Sequence, residues 1–245
     1  NFKAVDMVGA TSFSRDYILD NFIAMDYIVT GMFGDAMAWM EDWMTIRGPG
    51  GGVPQGYFNS TAAIIGGPAS SGTAREDAND IRSEDLGWML SHLAPCPTPR
   101  WIAHRSAIPK LFILNNSAGT PVFQPNASIV QSDPLSIMSQ SNNGAEVYST
   151  AGMLLGLPIF FTEKVPQLGT TGDISLVCPN QYGLAERQSF EVGMSEHFYF
   201  STDKIAYRFK KRHDGRSLWR KPYIDASNVA TPASGWTISP FILLA

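Results

Sequence analysis

Four histidines, at positions 92, 104, 197 and 213, are the residues best suited to proton transfer or metal binding, and none stands at HxxxH or HExxH spacing. A zinc hydrolase therefore has no support. Ser106-Ala107-Ile108-Pro109-Lys110 sets a lysine four residues after a serine, which misses the SxxK spacing of an activated nucleophile. Gly193-Met194-Ser195-Glu196-His197 begins like a nucleophile elbow but lacks the second glycine, and its acid and base are merely adjacent. Gly48-Pro49-Gly50-Gly51-Gly52 is rich enough in glycine to cradle a phosphate. Such a loop needs a strand before it and a helix after it, whereas this one follows a helical pattern and meets Val53-Pro54. Cys96 and Cys178 form no CxxC pair, which excludes a disulfide framework and a cysteine-rich zinc site. Two free thiols in a reducing compartment are the expected state. Asn59, Asn115 and Asn126 each begin a glycosylation pattern, which an Asn/Ser-rich chain produces by chance. No catalytic, cofactor-binding or metal-ligating set is expected.

The elements that would position chemistry are more informative. Residues 15–46 read as one long helix, with apolar Ile18, Phe22, Met25, Val29, Met32, Ala36, Met40 and Trp43 at spacings of three and four. Ser14 suits the N-cap, and Arg47-Gly48-Pro49 makes a strong stop. At 1.5 Å per residue such a helix spans about 48 Å, as long as a compact globule of this size is wide, roughly 46 Å. A second apolar strip holds Leu19, Ile23, Tyr27, Phe33, Met37, Trp39 and Met44. One domain core covers one helix face, so two strips point to burial against neighbouring subunits. A membrane span is disfavoured by Asp26 and Asp35 within the segment and by the lack of flanking Lys or Arg clusters.

Residues 83–94 read as a second helix, and Trp101–His104 as a strand. Residues 106–114 read as a helical turn running into a strand, and 115–134 as loop. Leu154–Thr162 reads as an edge strand around Pro158. From Asp173 the pattern becomes β, with the clearest strand at Lys204–Lys210. His213-Asp214-Gly215 supplies a hairpin turn, and residues 216–223 the return.

Of the 245 residues 44% are hydrophobic and only 16% charged, against roughly 25% in an ordinary soluble domain. Disorder and low complexity are excluded, and a thinly charged surface suits a protein covered by partners. The net charge of −4 conceals an asymmetry. Between Asp203 and Lys221 stand eight basic and two acidic residues, whereas the remainder holds 10 basic and 20 acidic. A basic edge formed by Lys204, Arg208, Lys210, Arg212, Arg216 and Arg220 would meet either a polyanion or another subunit's acidic surface. The long helix offers such a surface through Asp16, Asp20 and Asp26. Subunit contact is the preferred reading.

The order of segments resembles the major capsid proteins of tailed bacteriophages with the Hong Kong 97-like fold. The helix ending Trp39-Met40-Glu41-Asp42 runs into Gly48-Pro49-Gly50-Gly51-Gly52-Val53-Pro54-Gln55-Gly56-Tyr57, similar to the family's spine helix and glycine-rich segment. Trp101-Ile102-Ala103-His104 with Ile108-Pro109-Lys110-Leu111 resembles its next strand and helix. Leu155 to Phe160, Pro166 and Gly172-Asp173-Ile174 resemble the run that follows, and Arg212-His213-Asp214-Gly215 resembles its closing motif.

The resemblance implies an α+β fold. Residues 1–54 would form the long spine helix and the first part of a peripheral P-domain, 55–188 a central A-domain, and 189–245 the return to the P-domain through a basic β-hairpin and tail. It implies a non-enzymatic shell protein that assembles with itself, in a host cytoplasm, into hexamers and pentamers. These would close an icosahedral virion capsid around double-stranded DNA held without sequence specificity. Portal, scaffold, protease and cement proteins are the further partners it implies; no cofactor and no membrane are expected. Residues 1–13 resemble only the strand leaving the family's extended loop, so the N-terminal arm and loop are expected to be missing from this sequence. An encapsulin-type compartment enclosing enzyme cargo is the alternative. An enzyme would need a ligand pocket near Ser195 and His197, and a DNA-binding regulator a basic recognition helix.

Overall fold

Residues Val5–Ser14 alternate half-buried Val5, Met7 and Gly9 with exposed Asp6, Val8 and Ala10, and they form a ten-residue strand, β1. The computed structural model describes residues 2–20, 25–68, 77, 79–116, 119–125, 152–224 and 237–245. β1 pairs antiparallel along its whole length with β9 (Lys204–Ser217), from Val5 opposite His213 to Ser14 opposite Lys204. β8 (Tyr182–Tyr199) flanks β9 on its other side, giving a three-stranded sheet of order β1-β9-β8.

The expected helix is present as α1 (Arg15–Asp20) and α2 (Met25–Arg47). Residues 21–24 and the side chains of Asp20 and Asp26 lie outside the described residues. α2 runs through Gly31 and Gly34 and lies along β9. Val29 and Met37 are buried with Tyr207 and Phe209, and Phe33 stacks on Phe209 with ring centroids 3.9 Å apart. Gly9 on β1 leaves the Phe33 ring its space. The inward stripe therefore draws on both apolar strips of the sequence, while Met32 and Trp39 are left exposed. At the end of α2 the Asn59 side-chain amide donates to the carbonyls of Arg47 (2.9 Å) and Gly48 (3.0 Å), satisfying acceptors the helix itself cannot.

A second sheet has seven strands. In spatial order they are β2 (Ile64–Gly66), β12 (Phe241–Leu244), β7 (Ile174–Val177), β3 (Arg100–Ala103), β6 (Leu157–Phe161), β5 (Gly152–Leu154) and β4 (Phe123–Pro125). One face packs beneath α3 (Ser83–Ser91) and α4 (Ile108–Ile113) in a core of Leu86, Met89, Trp101, Leu111, Ile159, Ile174, Leu176, Ile242 and Leu244. The other face gathers Ile46, Tyr57, Val165, Val177, Phe241 and Leu243. β12 is buried at every position, and each such side chain contributes about 1.5–3 kcal/mol. Thus residues 241–244 join the sheet built by residues 64–177, not the hairpin sheet.

Four local expectations are corrected. His213-Asp214-Gly215 is no turn but the buried interior of β9. Asp214 accepts from the Lys3 backbone N–H at 2.7 Å and from Arg216 at 3.0 Å, and the Tyr182 hydroxyl fills the space above Gly215. These tertiary partners override the turn preference of the three residues. The hairpin turns instead through Phe200–Thr202 and Asp203, whose φ is 46°, and the short strands β10 (Tyr223–Ile224) and β11 (Thr237–Ile238) pair beyond it. Second, the strand holding Pro158 is internal: β6 pairs with β3 and β5. Pro158 precedes the Ile159 at which the ladder to β3 begins and faces Met153 one step from the hairpin's closing pair, so its missing N–H costs no ladder bond. Third, residues 108–113 continue as a helix rather than a strand, with Pro109 in its first turn. Fourth, Cys96 and Cys178 are joined in a disulfide, their Cα atoms 6.2 Å apart, because the fold returns β7 beside the loop after α3.

Gly215 has extended backbone, so space is what selects it. Gly215→Ala is expected to push Tyr182 off the Gln55 carbonyl that its hydroxyl reaches at 3.0 Å. The cost should be about 1–3 kcal/mol, read as a lower denaturation midpoint of the subunit.

Candidate subunit-contact surface

The basic strand does not present its charges uniformly. Strand alternation turns Tyr207 and Phe209 toward α2 and leaves Lys204 and Arg208 exposed on the opposite side. Lys210 and Arg212 close on Asp6 of β1, at 3.0 and 2.5 Å. The Asp6 carboxyl is held below its usual range, chiefly by the Lys210 hydrogen bond. Arg216 pairs with Asp214 and lies 5.3 Å from the centre of the Phe2 ring. Lys211 reaches back to the long helix and meets Glu41 at 2.6 Å, with both side chains mostly covered. Arg220 is exposed, and its backbone carbonyl accepts from the Thr61 hydroxyl.

Charge attraction between the acidic helix and the basic strand is therefore partly spent inside the chain. Of the expected contact residues, Lys210, Arg212 and Arg216 are engaged with this chain's own carboxylates. Lys204, Arg208, Arg220 and Asp16 stand on the surface.

An apolar surface stands beside the basic one, and reading charge alone missed it. The α2 face of the hairpin sheet is three strands wide, while the helix lies along β9. On β8, Phe190, Val192, Met194 and Tyr199 remain substantially exposed, and Phe198 and Phe200 at the turn are 73% and 83% exposed. Phe190, Val192 and Met194 alternate in the sequence, but that no helix among the described residues covers them is not legible there. The outer edge of β8 pairs with no described strand, while its ladder to β9 carries register shifts near Glu186, Gln188 and Ser195.

His104, Ser106 and Lys110 are engaged in structural contacts. His104 and Ser106 are 2.8 Å apart, but the imidazole caps a helical turn and the hydroxyl also receives the Leu168 N–H. Lys110 pairs with Asp80, not with Ser106. Ser195 and His197 are exposed on β8. A cleft of about 570 Å³ between the end of α2 and the seven-stranded sheet is lined by Asp42, Ile46, Tyr57, Arg100, Phe160 and Tyr182 among others. Burial pushes the Tyr182 hydroxyl up to about 12 and Tyr57 higher still, so neither phenol ionises near neutrality. The described residues contain no group of three metal-ligating side chains, and no helix among them is long and apolar enough to cross a membrane.

The fold thus combines a long helix laid on a hairpin sheet with a separate mixed sheet. Solved structures similar to this chain include the capsid of an empty GTA particle, at 14% identity and a TM-score of 0.67, covering 99% of this chain and 73% of that one. The Mycobacterium phage Adephagia chain follows at 12% identity and 0.58, covering 100% and 72%. The procapsid of satellite phage P4 with its size determination protein is similar at 10% and 0.50, covering 100% and 72%. No curated protein matches. The phage capsid family model matches residues 2–222, and the chain belongs to that family. Its role is that of a major capsid protein, a structural component of the virion shell; the family match favours this over the encapsulin-type alternative.

Two outcomes follow from the ion pairs. Glu41→Gln or Lys211→Met should each destabilise the subunit by about 1–3 kcal/mol, with the double variant costing less than their sum in a thermodynamic cycle. Asp6 is more acidic folded than unfolded, so its contribution is present above the ordinary carboxylate range and lost as pH falls through the depressed value. Asp6→Asn should flatten the acid limb of a melting-temperature against pH curve and leave its alkaline limb unchanged.

Proposed function

We propose that the chain is a Hong Kong 97-like shell subunit that works by association rather than catalysis. In this reading α2 is the spine helix, the β1-β9-β8 sheet belongs to the peripheral P-domain, and the seven-stranded sheet is the body of the A-domain around residues 55–188. Subunits gather into hexamers and pentamers in the host cytoplasm and close around double-stranded DNA, with portal, scaffold, protease and cement proteins as further partners. The observation that carries this reading is the pairing of an uncovered apolar strip on β8 with exposed cations on the same hairpin. Such a surface is costly in water and suited to a protein partner: the apolar strip supplies area, and the charges set register. Many weak symmetric contacts then sum to a stable shell. Contact with DNA would be non-specific, since the cations lie on a strand with no recognition helix beside them.

Lys204, Arg208 and Arg220 are the cations we assign to subunit contact, with Asp16, Asp20 and Asp26 as acidic counterparts on a neighbouring copy. Lys204→Glu combined with Arg208→Glu should abolish closed particles in electron micrographs. The melting of the subunit should move by only about 1–2 °C, because exposed substitutions cost within about 0.5 kcal/mol. Normal shells from that variant would overturn the assignment.

A further inference from the structure

We propose that Cys96 and Cys178 form an oxidative modification site. They stay as two thiols while the subunit folds and assembles, and they exchange with a low-molecular-weight disulfide once the shell leaves the cell. The proposal rests on the reading that assembly takes place in a host cytoplasm, where thiols are kept reduced.

Three segments besides the bond hold the chain on either side of the two sulfurs. Val177 pairs with Phe241 on one side and Arg100 on the other, which fixes the end of β7. The Cys178 N–H donates to the Pro240 carbonyl at 2.9 Å. The loop carrying Cys96 is held to the same turn, where Ala94 N–H donates to Ser239 and Ser239 N–H donates to His92, each at 2.9 Å. Backbone pairing on both flanks therefore favours the approach of the two Cα atoms, which lie 6.2 Å apart in the bonded pair, within the range a disulfide spans. On this proposal the subunit reaches that approach before oxidation.

The two sulfurs differ in access. Cys178 is fully buried, whereas Cys96 is half-buried on the loop after α3. That difference sets the order of events. The Cys96 thiolate attacks one sulfur of the external disulfide, forming a mixed disulfide and releasing one small thiol. The Cys178 thiolate then displaces the second small thiol and closes the internal bond. Two protein thiols are oxidised and one external disulfide is reduced to two thiols, which carry away both protons. The closed loop encloses β3 to β7, so the bond restrains the central strands of the A-domain sheet after assembly is complete.

The test counts thiols with a maleimide mass tag in cells quenched directly into denaturant, and again on purified particles incubated with oxidised glutathione. Two tags per chain are expected at quench and none after incubation, with particle melting raised by about 5–15 °C. Cys96→Ser should assemble normally, retain one tag throughout and show no rise in melting; Cys178→Ala serves as the second variant. Chains already untagged at quench, or still carrying two tags after prolonged incubation, would overturn the proposal. Absence of closed wild-type particles would count against the shell reading alone, since the thiol count decides the exchange in either case.

Discussion

A helix that buries Val29 and Met37 in one core and Ile46 in another ties together two sheets that share no strand. α2 is 23 residues long, about 35 Å, and its last turns are where the two cores meet. Consecutive carboxylates there reach in different directions. Glu41 meets Lys211 of the hairpin sheet, and Asp42 meets Lys164 at 2.7 Å, just beyond β6 of the other sheet. Lys164 is almost fully covered and lies 5.8 Å from the centre of the Trp39 ring. Apolar contact sets the distance between helix and sheets, and the two ion pairs oppose rotation of the helix about its axis. The direction in which the hairpin projects, and so the placement of its exposed surface, depends on this junction.

Much of the architecture could be read from the chain because local pattern and tertiary demand agree there. The short helix from Ser83 and the Ile205-Tyr207-Phe209 alternation bury the face that their period predicts, and the helical run stops at Arg47-Gly48 as expected, although its inward face mixes the two apolar strips. Reading failed where a distant partner outweighs local preference. His213-Asp214-Gly215 has turn chemistry, yet Lys3, Arg216 and Tyr182 hold it straight. The cysteines stand 82 residues apart, a separation that carries no signal until the sheet order is known. The place of residues 241–244 was equally hidden, since a short apolar run near the end of a sequence looks the same at an edge as at a centre.

The candidate surface was legible by half. Clustering of cations from Lys204 to Lys221 was plain, but which of them are neutralised within the chain depends on β1 lying beside β9 with Asp6 opposite Arg212. A sparse charge content also takes on a physical meaning. Part of the charge this chain does carry is placed at internal junctions, as in Glu41 with Lys211 and Asp42 with Lys164, and the hairpin's helix-facing side keeps an apolar strip that water does not favour.

The position of β12 bears on how such a subunit is made. Its neighbours β2 and β7 lie at residues 64–66 and 174–177, and β12 stands between them in the sheet order. A ribosome must therefore add residues 241–244 before β2 can join that sheet. Until then the emerging polypeptide carries two unpaired strand borders, a template for premature pairing with other nascent chains. Synthesis order thus acts as a timer: the body of the subunit closes only after the hairpin has been translated, so an incomplete chain cannot present a finished body to a growing shell.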